Sequence, residues 1–255
     1  GIVAGFEYGF GLTEPLINEH NDPLKPSAAL RYKMSGTIGG YTFNSNNFFS
    51  SGYYPGIRRG VVQLNERIGR QIKKANVWLG YSFYRYNPKY HDERFTRFSS
   101  NLSNSTLESG TFFNITHNMS AGVSAKYQTD EGVVGRGASE ERKRSTLKSV
   151  RLTESLNWRS RNSKHQPGLT SENGLGRSPF DSSNQLQLRI NANWNYDIFS
   201  LSSYYQKGDF TVLEAYRSAF YNTESYRFNS SAGVRKEFFG KKLKTNLHVN
   251  FNRDS

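Results

Sequence analysis

A two-residue rhythm constrains this chain more than any other feature. Leu186, Leu188, Ile190, Ala192, Trp194 and Tyr196 are apolar, and the interleaved Gln185, Gln187, Arg189, Asn191, Asn193 and Asn195 are all polar. Successive side chains of a β-strand point to opposite faces, so this segment has one greasy face and one wet face. Its twelve residues extend roughly 40 Å, whereas a typical globular strand has about 5–6 residues. The rhythm recurs over Ile2–Leu12, Ala28–Ile38, Met119–Gln128, Tyr226–Arg235 and Leu243–Asn252. A soluble antiparallel sheet with one wet face has the same period. Repeated strands of this length favour a bilayer instead.

The polar average of the chain does not conflict with that expectation. Only 35% of residues are hydrophobic, and the mean hydropathy is −0.74. No run approaches the roughly 20 apolar residues of a spanning helix, which excludes a helical membrane protein. A barrel needs apolar residues only on its outer face. Aromatics reach 15% of the chain, too many for ordinary disorder. Cysteine is absent, which removes disulfides, thiolate metal sites and cysteine nucleophiles. The formal charge is +13, which fits lipopolysaccharide phosphates or an anionic cargo. Nucleic acid is not expected, because the basic residues are spread over strands and loops instead of forming one stripe.

Turn chemistry sets the connectivity. Short turns are expected near Lys73–Ala75, Thr116–Asn118, Asp197–Phe199 and Phe239–Lys242. Long loops are expected at Thr13–Pro26, Pro88–Phe98, Thr129–Thr146, Arg161–Ser183 and Phe210–Ser225. Short turns on one side and long loops on the other are the habit of outer-membrane barrels. The alternation fails once, after Val150–Trp158, where a long segment stands in place of a short turn. The expected fold is an all-β antiparallel up-and-down transmembrane β-barrel of about 10–14 strands. Residues 1–255 read as a single β-barrel domain or part of a larger barrel, with no separate plug or soluble domain evident. Gly1–Leu12 already reads as a strand and Phe251 is near the end, as in a piece of a longer chain.

In pattern and composition the chain resembles Gram-negative outer-membrane β-barrel proteins. The stretch Phe49–Gly60, with Trp78–Phe83 beyond it, is similar to the translocation barrel of fimbrial ushers. The texture also resembles TonB-dependent transporter barrels, without their plug domain or TonB box. The resemblance implies an outer-membrane location, contact with lipid and lipopolysaccharide, and passage of a solute or secreted polypeptide, with or without a periplasmic or plug partner. No functional residue is carried over from it.

The candidate site residues are cations. Arg31, Lys33, Lys126, Arg189, Arg227, Arg235 and Lys244 share the phase of the wet face and would line a lumen, where charge tunes selectivity. The plainer role is to pair with Glu7, Glu66 or Glu237 and fill the interior. Arg58 and Arg59, beside Pro55, are candidates for an anion-selecting constriction or for an ordinary surface turn. Arg142, Lys143 and Arg144 are candidates for phosphate contact in an outer loop, or simply a solvated charge run. No catalytic residue, metal site or cofactor is expected. Pairs such as His20 with Asp22 fall short of the three or four ligands zinc takes. The function expected is a channel or translocation pore with a net-basic hydrated lumen. The alternatives are a filled barrel serving as structural anchor or adhesin and, third, a lipase- or protease-type barrel enzyme.

Overall fold

The computed structural model describes all residues except 14–23, 56, 91–101, 135–142, 163, 181–182, 224, 239–242 and 255; within strands, the side chains of 134, 143, 236–238, 243–246 and 248 are also not described. The chain forms thirteen strands and one helix. The strands are β1 (Ile2–Thr13), β2 (Lys25–Ile38), β3 (Tyr41–Ser50), β4 (Val61–Ile72), β5 (Ala75–Tyr86), β6 (Leu102–Thr116) and β7 (Met119–Val134). They continue as β8 (Lys143–Trp158), β9 (His165–Arg177), β10 (Asn184–Tyr196), β11 (Phe199–Lys207), β12 (Tyr226–Phe238) and β13 (Leu243–Asp254). Helix α1 (Val212–Tyr221) lies between β11 and β12.

All thirteen strands belong to one sheet in sequence order, β1 to β13, so the all-β up-and-down architecture is present. The registers described are antiparallel throughout. The strand order ends at β1 and β13, with no pairing between them among the described residues. The sheet is therefore open where the sequence reading expects closure. Alternation fixes which face a residue takes, but closure depends on curvature accumulated over the whole sheet, which the pattern does not encode.

β9 resolves the failed alternation. The expected loop Arg161–Ser183 contains a full strand paired to both β8 and β10. Its Pro167, Gly168, Gly174 and Gly176 read as turn residues in the sequence. The neighbouring strands show why they are there. A Cβ on Gly174 would come within 2.1 Å of the Val150 carbonyl and 2.7 Å of Arg151, and one on Gly176 within 2.4 Å of the Gln187 amide. The glycines let large polar side chains lie across β9. The expected loop Thr129–Thr146 is likewise shortened, because β7 runs to Val134 and β8 starts at Lys143. At the β2–β3 turn, Gly39 and Gly40 both take positive φ (57° and 80°), as a tight two-residue hairpin requires.

The chain divides into two compact units. One comprises Gly1–Gln71, Trp78–Glu108 and Gln128–Thr146; the other comprises Ile72–Val77, Ser109–Tyr127 and Leu147–Ser255. Within the second, cross-strand rows show which face is covered. Val150, Leu175 and Leu186 form one row and are exposed at 59%, 56% and 57%. On the opposite face Arg151, Glu172 and Gln187 are buried at 3%, 6% and 0% exposure. This inverts the ordinary distribution, in which charged residues are rarely buried and apolar ones usually are.

Candidate functional site

Buried polar residues of the second unit, among them Arg151, Gln187 and Gln206, form one connected site centred on Glu172 of β9. Its Oε1 accepts from Arg151 Nε at 2.8 Å and from Lys126 Nζ at 3.0 Å. Its Oε2 accepts from Arg189 Nη1 at 3.2 Å. Three cations thus converge on one carboxylate. Arg189 stands directly opposite Glu172 in the β9–β10 register. Arg151 reaches past Gly174, its own register partner, to donate to Gln187 Oε1 at 3.1 Å, and also donates to Ser149 Oγ at 2.8 Å. Arg189 donates further to the Tyr204 hydroxyl and to Gln206 Oε1, each at 3.1 Å. Arg151 thus finds three acceptors in the site and Arg189 three, as burial of charge demands.

The connection between β11 and β12 folds onto this network. Phe210 is buried, and its ring carries two guanidinia, Arg189 at 4.0 Å and Arg151 at 5.0 Å from the centroid. The Gln187 amide donates to the Asp209 carbonyl. Gln206 Nε2 donates to Glu214 Oε1 at 3.3 Å. Glu214 also closes the helix start: Thr211 Oγ1 accepts from the Glu214 backbone N–H, and the Glu214 carboxylate accepts from the Thr211 N–H at 3.2 Å and the Phe210 N–H at 2.8 Å. This capping box satisfies orphan donors of α1 and puts a carboxylate beside the helix N-terminus. Asn222 ends the helix in the left-handed conformation. Asp209 accepts from Ser218 Oγ at 2.7 Å, and Phe180 packs edge-on against Tyr216. The connection is fastened to the wet face from its first residues to the middle of its helix.

The cations expected from the sequence have diverse positions. Lys126 and Arg189 belong to the Glu172 network. Arg31 pairs with Glu7 at 3.9 Å, and Arg227 pairs with Asp254 at 3.6 Å. Lys33 and Arg235 are exposed on their strands. The side chain of Lys244 lies outside the described residues, as does that of Glu237. In the connection after β3, Arg58 lies over the Phe48 ring at 5.1 Å, while Arg59 lies over Tyr90 at 4.7 Å and donates to the Tyr54 carbonyl. Arg142 lies outside the described residues, and of Lys143 only the backbone is described. Lys143 and Arg144 stand in β8 and not in an outer loop, and Arg144 pairs with Glu131 of β7. Glu66, expected among the partners of lumen cations, sits instead on the apolar face, in register with Ser45 and Met34.

Arg151, Glu172, Gln187, Gln206 and Phe210 are not among the candidate residues that the sequence pattern points to. Arg151 carried a usable signal, since it shares the phase of Ser149 and Asn157 against Val150, Leu152 and Leu156. Thr211 and Glu214 spell a capping box, the one local sign that the expected loop holds a helix. Glu172 was hidden by the glycines around it. Among the described residues no group of three His, Asp or Glu side chains is placed to hold a metal. No protein-family model matches the chain, and no curated protein matches it.

Proposed function

We propose that this chain forms the wall of a membrane β-barrel pore in a Gram-negative outer membrane, with the Glu172 network and the α1 connection narrowing its lumen. The observation that carries the reading is the inverted burial: charged and amide side chains are covered on one face while Val150, Leu175 and Leu186 are bare on the other. Water on both faces would leave those apolar rows unpaid for, whereas hydrocarbon covers them. Eleven strands are 12 residues or longer, ample for the roughly 9–11 residues of a tilted spanning strand. Aromatic residues gather at the short-turn ends: Trp158, Trp194, Tyr196 and Phe199 are placed as an interfacial girdle is. In lipid the free edges of β1 and β13 require partner strands, because each unpaired backbone group there costs several kcal/mol.

The reading makes α1 a constriction and the three cations its basic lining. Around Glu172 the cations exceed the carboxylate, so small anions are favoured over cations of equal size. A filled barrel acting as an anchor differs from this in one respect, the absence of an open path beside Phe210. Planar-bilayer recordings on the detergent-folded full chain test both. Stepwise, anion-favouring conductance is expected, and Phe210→Ala, which removes the ring under both guanidinia, should raise it. A membrane that stays sealed with wild type and variant alike overturns the pore.

A further inference from the structure

Beyond Arg189 toward the short-turn end, the wet face of the second unit changes character. Two cross-strand rows run there through the registers of β8 to β13. One passes Asn157, Gly168, Asn193, Ser202, Ser231 and Asn250; the next passes Thr170, Asn191, Tyr204, Asn229 and Asn252. They line a trough of about 450 Å³ with no charged side chain in its wall. That volume falls in the range of small-molecule clefts, about 300–1,000 Å³. Gly168 is what opens the wall between β8 and β10. A Cβ there would lie 2.2 Å from the Asn193 side-chain oxygen and 2.8 Å from that of Asn157.

The chemistry of the wall selects a ligand class. The side-chain amides of Asn157, Asn191, Asn193, Asn229, Asn250 and Asn252 make no hydrogen bond to any described residue. Each amide offers two donors and one acceptor, and each hydroxyl offers both functions. Neighbouring strands repeat at about 4.8 Å, so these groups form a lattice of mixed donors and acceptors. An anion would be held by the guanidinia above, not by neutral amides. An apolar solute would strip water from the amides without replacing their bonds. A neutral, hydroxyl-rich molecule matches donor with acceptor at every step without desolvating a charge, and the Tyr204 ring adds an apolar surface for its C–H groups.

We propose that this trough is a binding track for neutral saccharides, lying directly beyond the basic constriction. It rests on the pore reading for its role in passage, and its binding is measurable without passage. The test is calorimetric titration of the detergent-folded full chain with a linear neutral glucan hexasaccharide, in parallel with current block by the same sugar in planar bilayers. Saturable binding in the millimolar range or tighter is expected. Asn193→Asp with Asn250→Asp, close in volume and checked for an unchanged strand signal by circular dichroism, should weaken it about tenfold or more through lost donors. Should that pair fail to fold, Asn157→Ser serves in its place. Ion conductance without sugar binding, equal affinity in the variants, or equal binding of an uncharged peptide overturns the track. Sugar binding by a protein that never conducts keeps the track and removes the pore.

Discussion

Two carboxylates, one in each compact unit, meet opposite surroundings on similar strands. Glu172 stands on the wet face of β9 and is held by Arg151, Lys126 and Arg189. Glu66 stands on the apolar face of β4, and its Oε1 accepts only from neutral donors: Asn47 Nδ2 at 2.6 Å, Ser45 Oγ at 2.9 Å and the Tyr32 hydroxyl at 3.4 Å. Asn47 is fully buried, and its Oδ1 accepts from the Asn65 backbone N–H, filling a break in the β3–β4 ladder. The cations of the two units differ in the same way. In the first unit Arg67 and Arg70 rest on the rings of Trp78 and Tyr41, at 4.1 Å and 4.8 Å, while in the second the guanidinia of Arg151 and Arg189 are bound into one network. Around Glu172 the negative charge is indispensable, because three cations share it. Around Glu66 only the lone pairs are needed.

The same substitution should therefore separate the two. Glu172→Gln leaves three neighbouring cations uncompensated, two of them well covered, and is expected to cost about 3–5 kcal/mol in urea unfolding of the detergent-folded protein. A loss below about 1 kcal/mol, the size of one ordinary hydrogen bond, would show that water already screens the network and would break the contrast. Glu66→Gln keeps an acceptor for all three donors and sheds a charge from the apolar face. It should change stability by less than about 1 kcal/mol, with Glu66→Ala costing about 1–3 kcal/mol because the buried Asn47 amide loses one of its two acceptors and keeps only Ser45 Oγ. Equal losses for Gln and Ala would mean that the charge of Glu66 matters after all. A comparably small effect belongs to Arg67→Ala, about 0.5–1 kcal/mol for an exposed cation stacked on the half-buried Trp78 ring, accompanied by a shift in tryptophan emission.

The legible and the illegible parts of the site differ for a physical reason. Lys126 and Arg189 were readable because alternation around them is clean, with Val123 and Ala125 on one side and Leu188 and Ile190 on the other. Glu172 was not, because β9 gives up bulk on its wet face so that Arg151 and Gln187 can cross it, and in sequence a glycine that makes room looks like a glycine that makes a turn. Glu66 reads in the sequence as a wet-face partner for cations because a single polar residue in an apolar phase looks like a change of phase. Only the register with Ser45 and Met34 shows that it keeps the phase of its neighbours.

By itself, the amino-acid sequence determined the strand character of the chain, its up-and-down order, and the face taken by most side chains. Those properties follow from the two-residue period and from local turn chemistry, which need no distant partner. Tertiary structure alone decided that three cations meet on Glu172, that Phe210 comes back to lie against two of them, and that β1 and β13 do not pair with one another among the described residues. Each of these depends on registers and chain reversals that bring together residues far apart in sequence, and a short-range period carries no information about them.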